Sequence, residues 1–247
     1  MHASLAHRLL LSTALASVLV AASPAPPAPI GWWTFDDRHD RSGHWAPIEL
    51  FGTARITDGR LLLDASPNGG TSEALGWATA SGYTGPPIAD KTLVVWAIVR
   101  RPEVRGGGVI SLDSVGPRDV FDAITWGEEF PLRWMPGSNF YSRTQHLNRA
   151  EERTVGAPVL LGLATRVKGE EVEMTLCRGG LVLAQYRDGP AGRWEAGDAE
   201  MVFGRRHTST TVHALGGFAG EILEARLYPR ALSCAEVGAL TPWVPPR

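Results

Sequence analysis

Cysteine and lysine are nearly missing from this chain. Two cysteines, Cys177 and Cys234, stand in 247 residues, too few to build a disulfide framework at this length. Lysine occurs only as Lys91 and Lys168, so 22 of the 24 basic residues are arginines, scattered without a run. That bias reads as genome composition. A cationic excess is also missing: 24 basic side chains face 26 acidic ones, a formal net charge of −2. Phosphate backbones need a clear positive excess, so a nucleic-acid binder is excluded. Beyond the N-terminus no apolar run is long enough to span a bilayer. Long amphipathic helical patterns, a βαβ rhythm and repeats of 20–50 residues are absent as well, which removes solenoids and doubly wound folds.

What the chain does have is 28 glycines, 18 prolines and 9 tryptophans, with 44% apolar and 20% charged residues. This is globular composition, punctuated by many turns, and it points to an all-β protein. The start reads differently. Met1 to Arg8 is a short basic region, Leu9 to Val20 is apolar, and Val20-Ala21-Ala22 offers small residues for cleavage. Residues 1–22 are therefore expected to be a secretory signal peptide, and the product to be secreted, periplasmic or extracellular, without membrane insertion after cleavage. Residues 23–30 read as an extended Pro-rich spacer, and 31–247 as one domain.

Strand signals recur along that domain. They cover Trp32 to Phe35, Arg60 to Leu63, Thr92 to Val99, Val109 to Leu112, Val120 to Trp126 and Val159 to Val167. Glu171 to Cys177, Leu181 to Tyr186, Met201 to Gly204 and Glu221 to Tyr228 follow. Thr92 to Val99 is almost wholly apolar, as in a strand covered on both faces. Arg178-Gly179-Gly180 marks a tight hairpin, Gly106-Gly107-Gly108 a turn before a strand, and Pro136-Gly137 a further turn. Ser233 with Glu236 predicts a capping box for one short helix over Ser233 to Leu240. Alternation in Glu171 to Cys177 places Val172, Met174 and Leu176 on one face and Cys177 on the other, away from the core. Whether Cys177 pairs with Cys234 is left open by the sequence. The expected architecture is a β-sandwich of two antiparallel sheets.

Both ends carry motifs. Gly31-Trp32-Trp33-Thr34-Phe35-Asp36-Asp37, then Asp40-Arg41-Ser42-Gly43, and later Asp58-Gly59-Arg60-Leu61, stand at the start. Phe218 through Ser233, with Gly220-Glu221-Ile222-Leu223-Glu224-Ala225-Arg226-Leu227-Tyr228 at its centre, closes the chain. In this order they resemble the laminin-G-like, concanavalin A-like jelly rolls. Cys177-Arg178-Gly179-Gly180 and Asp119 to Thr144 fit the same resemblance, which spans the whole mature chain. It implies a jelly-roll sandwich of two curved sheets in which the first strand pairs with the last, burying Trp32 or Phe35 there. Many such domains hold a structural calcium through an acid on the last strand. Here that position is Leu223, read as completing an apolar row with Ala225 and Leu227, so neither a calcium site nor any other cofactor is expected.

That family includes sugar-binding modules, glycosidases and protein-binding modules, so the fold decides nothing about activity. Glycosidase relatives carry E-x-D-x-x-E, which sets two carboxylates roughly 6.7 Å apart on one strand face. This sequence lacks it, and Glu171-Val172-Glu173 reads as a solvated hairpin face. There is no G-x-S-x-G for a serine nucleophile, no zinc spacing around His39 and His44, and no strand–glycine–helix order for phosphate. The remaining feature is the block from Trp126 to Gln145. It joins aromatics, which stack on sugar rings, to amide and guanidinium groups, which bond hydroxyls. Trp126, Trp134, Asn139, Tyr141 and Arg143 are the ligand-binding candidates, with no catalytic or metal residues. The expected function is an exported, non-catalytic module for a glycan or a surface ligand. The alternatives are an interaction or structural module facing a cell-surface protein, and a divergent glycoside hydrolase.

Overall fold

The structure, a computed structural model, describes residues 26–64, 76–116, 118, 120–208 and 217–244. The expected signal peptide lies outside the described residues. Among the described residues, fourteen strands and one short helix follow in chain order. They are β1 (Gly31–Trp33), β2 (Glu49–Phe51), β3 (Arg55–Thr57), β4 (Arg60–Leu63), β5 (Trp77–Ala80), β6 (Lys91–Val99) and β7 (Gly107–Ser114). Then come β8 (Phe121–Trp126), β9 (Trp134–Ser138), β10 (Val159–Lys168), β11 (Glu171–Arg178), β12 (Leu181–Asp188), β13 (Ala199–Phe203), β14 (Gly220–Tyr228) and α1 (Cys234–Gly238).

The strands form two antiparallel sheets. The first runs β12-β11-β10-β6-β14-β4-β3, with β1 added beside β14; the second runs β2-β5-β13-β7-β8-β9. This is the all-β sandwich expected. Its core follows from alternation. Leu93, Val95, Ala97 and Val99 of β6 face inward, and meet Ile110 and Leu112 of β7 and Met201 and Phe203 of β13. The intervening Val94 and Trp96 enter a second cluster on the outer face, with Cys177, Tyr228, Leu232, Cys234 and Val237. That is why β6 is apolar from Leu93 to Val99. The capping box of α1 is present: Ser233 Oγ accepts from the Glu236 amide, and the Glu236 carboxylate accepts from the Ser233 amide. Gly162 of β10 lets α1 sit down on the sheet, since a Cβ there would lie 3.0 Å from two Val237 methyls.

The ends close as expected, with Gly31 opposite Leu227 and Trp33 opposite Ala225. Four details differ. Phe35 is buried, but its ring meets Phe203 of the other sheet, 5.7 Å away. Ile30, placed in the spacer, belongs to the body: it is buried and its amide donates to the Leu227 carbonyl. Leu223 is not in the core row, because a bulge in β14 between Ile222 and Glu224 puts Ile222 there and turns Leu223 to the outer cluster. Cys177 does point outward, yet it is fully buried beneath α1 and bonded to Cys234.

Candidate ligand-binding site

The block from Trp126 to Gln145 is organised by β8 and β9. Pro136-Gly137 is not a turn: it pairs within β9, opposite Ile124 and Ala123. Proline is tolerated there because β9 is an edge strand and the missing N–H faces no neighbour. Trp126 and Trp134 are cross-strand partners with ring centres 4.6 Å apart. Both are buried, at 0% and 1% exposure. The Trp134 indole N–H donates to Glu152 and the Trp126 indole N–H to the Pro102 carbonyl. Although burial opposes it, hydrogen bonds from Arg178, the Thr154 amide and Trp134 hold the Glu152 carboxyl down at about 2. The two tryptophans are thus core, out of reach of a ligand, with their polar edges satisfied from inside.

Arg143 is corrected in the same way. It is 2% exposed. Its Nε donates to Asp122 at 2.8 Å, and its remaining nitrogens to the Phe121 and Pro190 carbonyls, Asn139 Oδ1 and Ser142 Oγ. Asp122 meets Lys91 Nζ at 2.6 Å with both side chains fully buried. The Lys91 ammonium also lies 4.5 Å from the centre of the Trp194 ring. Burial opposes ionisation of Asp122, but Lys91 and Arg143 outweigh it and keep the carboxyl below its ordinary range. Burial pushes Lys91 down. This ionic cluster ties β6 of one sheet to β8 of the other, and no motif announced it.

Above that anchor sits a single 3-10 turn, Asn139–Tyr141. Phe140 and Tyr141 both have left-handed backbones, with φ of 47° and 56°. Bulky residues seldom adopt that region, and each such residue costs of order 1–3 kcal/mol. The turn spends this on display: Phe140 is 80% exposed and Tyr141 is 42% exposed. Burial and the neighbouring Glu128 push the Tyr141 phenol up to about 12, so it stays protonated and donates to Glu128 Oε1 at 2.9 Å. Arg206 donates to the same oxygen. His146 stands between two rings, 5.7 Å from Tyr141 and 6.2 Å from Phe130. Of the five candidates, the structure therefore leaves Tyr141 and Asn139 at the rim, joined by Phe140.

A carboxylate pair was missed. Glu200 of β13 is opposite Asp113 of β7 on the outer face of the second sheet. Both reach the Thr208 hydroxyl, at 2.9 and 3.4 Å. Burial pushes Asp113 up to about 7 and also raises Glu200. Asp113 is 2% exposed, and its two oxygens accept from the Ser114 and Thr208 amides. It fastens Thr208 to the sheet, as Ser111 does the Arg205 carbonyl. The two residues lie far apart in sequence, so spacing gave no signal. Among the described residues, no group of three potential metal ligands converges.

No family model and no curated protein matches the chain. Solved structures do. One is domain 4 of AbnA, a GH43 extracellular arabinanase from Geobacillus stearothermophilus, in complex with arabinotriose. The TM-score is 0.55 at 14% identity, over 85% of this chain and 96% of that one. Another is Trypanosoma rangeli sialidase in complex with sialic acid, with a TM-score of 0.54 at 12% identity, over 90% of this chain and 34% of that one. A mutant of that sialidase displaying trans-sialidase activity gives 0.52 at 14% identity, again over 90% and 34%. The chain thus spans about a third of the sialidases. At these identities the likeness establishes a shared β-sandwich fold, one that occurs in sugar-binding and glycosidase proteins.

Proposed function

We propose that the protein is an exported, non-catalytic carbohydrate-binding module of the laminin-G-like type, and that Asn139, Phe140 and Tyr141 form its contact rim. The observation that carries this is the pair of exposed aromatic rings held in a left-handed turn. Sugar rings present C–H faces that stack on aromatics, and neighbouring amides bond their hydroxyls. The Asn139 oxygen accepts from Arg143 and Ser142, while its NH2 has no acceptor among the described residues. A sandwich that is similar to an arabinanase domain solved with arabinotriose supports the ligand class. The paired carboxylates support no catalytic role as they stand, because Asp113 is closed off by backbone donors.

The test is a glycan array with the purified chain, with and without calcium, followed by titration of the best hit. Phe140→Ala with Tyr141→Ala should abolish binding and leave the melting temperature nearly unchanged. Unaltered affinity in that double variant removes the rim from the site.

A further inference from the structure

The rim is on the edge of the second sheet. A separate cleft opens on the first, where β1, the Asp58–Gly59 turn, the β14 bulge and the C-terminal segment meet. Its volume is about 330 Å³, and its walls include Thr34, Asp36, Asp58, Arg60, Glu224 and Trp243. That volume lies within the range of small-ligand sites, which starts near 300 Å³.

We propose that this cleft is a second binding site, for one ring of a neutral sugar. The proposal rests on the carbohydrate-binding reading but not on the Asn139–Tyr141 rim. The wall is built, not incidental. Glu224, 2% exposed, accepts from the Trp243 amide at 2.5 Å with one oxygen and from the Trp32 indole at 2.6 Å with the other. Arg226 donates to the Thr241 carbonyl at 2.8 Å. These bonds fold the C-terminal segment back over the cleft. The Arg41 guanidinium lies 4.4 Å from the centre of the Trp243 ring and pairs with Asp36 at 2.9 Å. Trp243 is therefore a fixed, half-exposed aromatic wall.

The polar groups around it retain unused capacity. Asp36 commits Oδ2 to Thr34 and Arg41, while Oδ1 receives no donor among the described residues. Arg60 uses one nitrogen on Glu221. Asp58 has no partner among the described residues and sits in a left-handed turn with φ of 50°. An aromatic face, two carboxylate acceptors and a guanidinium donor around a ring-sized space match a sugar's C–H face and vicinal hydroxyls. Charge then selects among sugars. Arg41 balances Asp36 and Arg226 balances Glu224, while Arg60 and Arg100 share the single carboxylate of Glu221. Asp58 brings the carboxylates level with the guanidiniums, so the wall carries no net positive charge to draw in a uronic or sialic acid, and a neutral sugar fits it.

The experiment follows the indole N–H resonance of Trp243, assigned through Trp243→Phe, while the purified chain is titrated with arabinotriose, xylotriose, maltotriose and trigalacturonate. A saturable shift is expected with at least one neutral trisaccharide and none with trigalacturonate. Asp58→Asn keeps the left-handed turn and removes the charge; it should weaken the neutral sugar by about tenfold. The Phe140→Ala, Tyr141→Ala variant should still shift Trp243. A Trp243 signal that no neutral trisaccharide moves, or a Kd indifferent to Asp58→Asn, overturns the second site while leaving binding at the rim intact. Loss of the Trp243 shift in the rim variant overturns its independence. A shift that survives in a rim variant with no affinity loss removes the rim and leaves this cleft standing.

Discussion

Stability should fall as pH rises from about 5 to 8, and Asp113 is the reason. Its carboxyl titrates near 3.8 when free and at about 7 in the fold, raised first by burial and further by Glu200 across the ladder. Between those values the native state holds a proton that the unfolded chain has released. Stability then declines through the window, and the acid form is the favoured one. Each pH step of one is worth about 1.4 kcal/mol, and the decline ends near the folded value of about 7, so the loss between pH 5 and 8 is roughly 3 kcal/mol. Glu200, also raised, adds in the same direction. The carboxyls lowered in the fold do not oppose it there. Glu152 and Glu236, at about 2, and the lowered Asp122 and Glu221 stay ionised throughout. A lysine lowered by burial, as Lys91 is, gives stability that grows with pH, between its folded value and 10.5. For a domain of this size, about 3 kcal/mol is a drop in Tm of roughly 6–12 °C. The assay is thermal and urea unfolding in steps from pH 5 to 8, for the native chain and for Glu200→Gln. Gln can still accept from the Thr208 hydroxyl but removes the like charge, so the Asp113 midpoint should move down and the slope should shrink. The two proteins differ at this one side chain, so the difference in slope isolates the pair. A Tm that is flat or rising over pH 5–8, or an equal slope in Glu200→Gln, would refute the argument.

Three further outcomes follow from packing and charge. Phe35→Ala should cost about 3–5 kcal/mol, because the ring is 1% exposed against Phe203; chemical denaturation showing less than about 1 kcal/mol would mean the ring is not core. Replacing both Cys177 and Cys234 by Ser should cost about 2–4 kcal/mol, since the bond closes a 57-residue separation in the unfolded chain; an unchanged denaturation midpoint contradicts that. Asp122→Asn leaves two buried cations without their anion and should cost about 3–5 kcal/mol, whereas Lys91→Met leaves the Asp122–Arg143 pair and should cost clearly less. Equal losses would show that charge balance is not what the cluster supplies.

Long strands were legible because their periodicity is strong. The signal for β4 matched Arg60–Leu63, and those for β6, β10, β11, β12 and β14 came within a residue or two of their ends. The missed strands are short or chemically atypical. Strands β2 and β3 have three residues each, β5 reads Trp-Ala-Thr-Ala, and β9 contains Pro136-Gly137. Each gains its state from a neighbour in the sheet rather than from its own propensity. The site divided along the same line. Aromatic and amide groups within one block were visible, but which rings faced out was not. Burial of Trp126 and Trp134 depends on Glu152 and Phe218, supplied by other segments. The Asp113–Glu200 pair joins strands that sequence spacing cannot connect.

One compositional oddity did carry structural information. A chain that uses arginine at 22 of 24 basic positions keeps lysine at position 91, a fully buried site. Genome composition alone favours arginine there. The geometry favours lysine: a compact ammonium lies 2.6 Å from Asp122 and 4.5 Å from the centre of the Trp194 ring, whereas a planar guanidinium brings five donors that need partners. Asp122 shares its charge between that ammonium and Arg143, and Arg143 in turn holds Asn139 and Ser142 of the left-handed turn. The chain of contacts therefore runs from the sheet–sheet interface outward to Phe140 and Tyr141. Two strained aromatic residues can stay exposed because the residues beside them are fixed to a buried charge, and under the proposed function that fixing makes the rim a preorganised surface instead of a loop that must be ordered at each binding event.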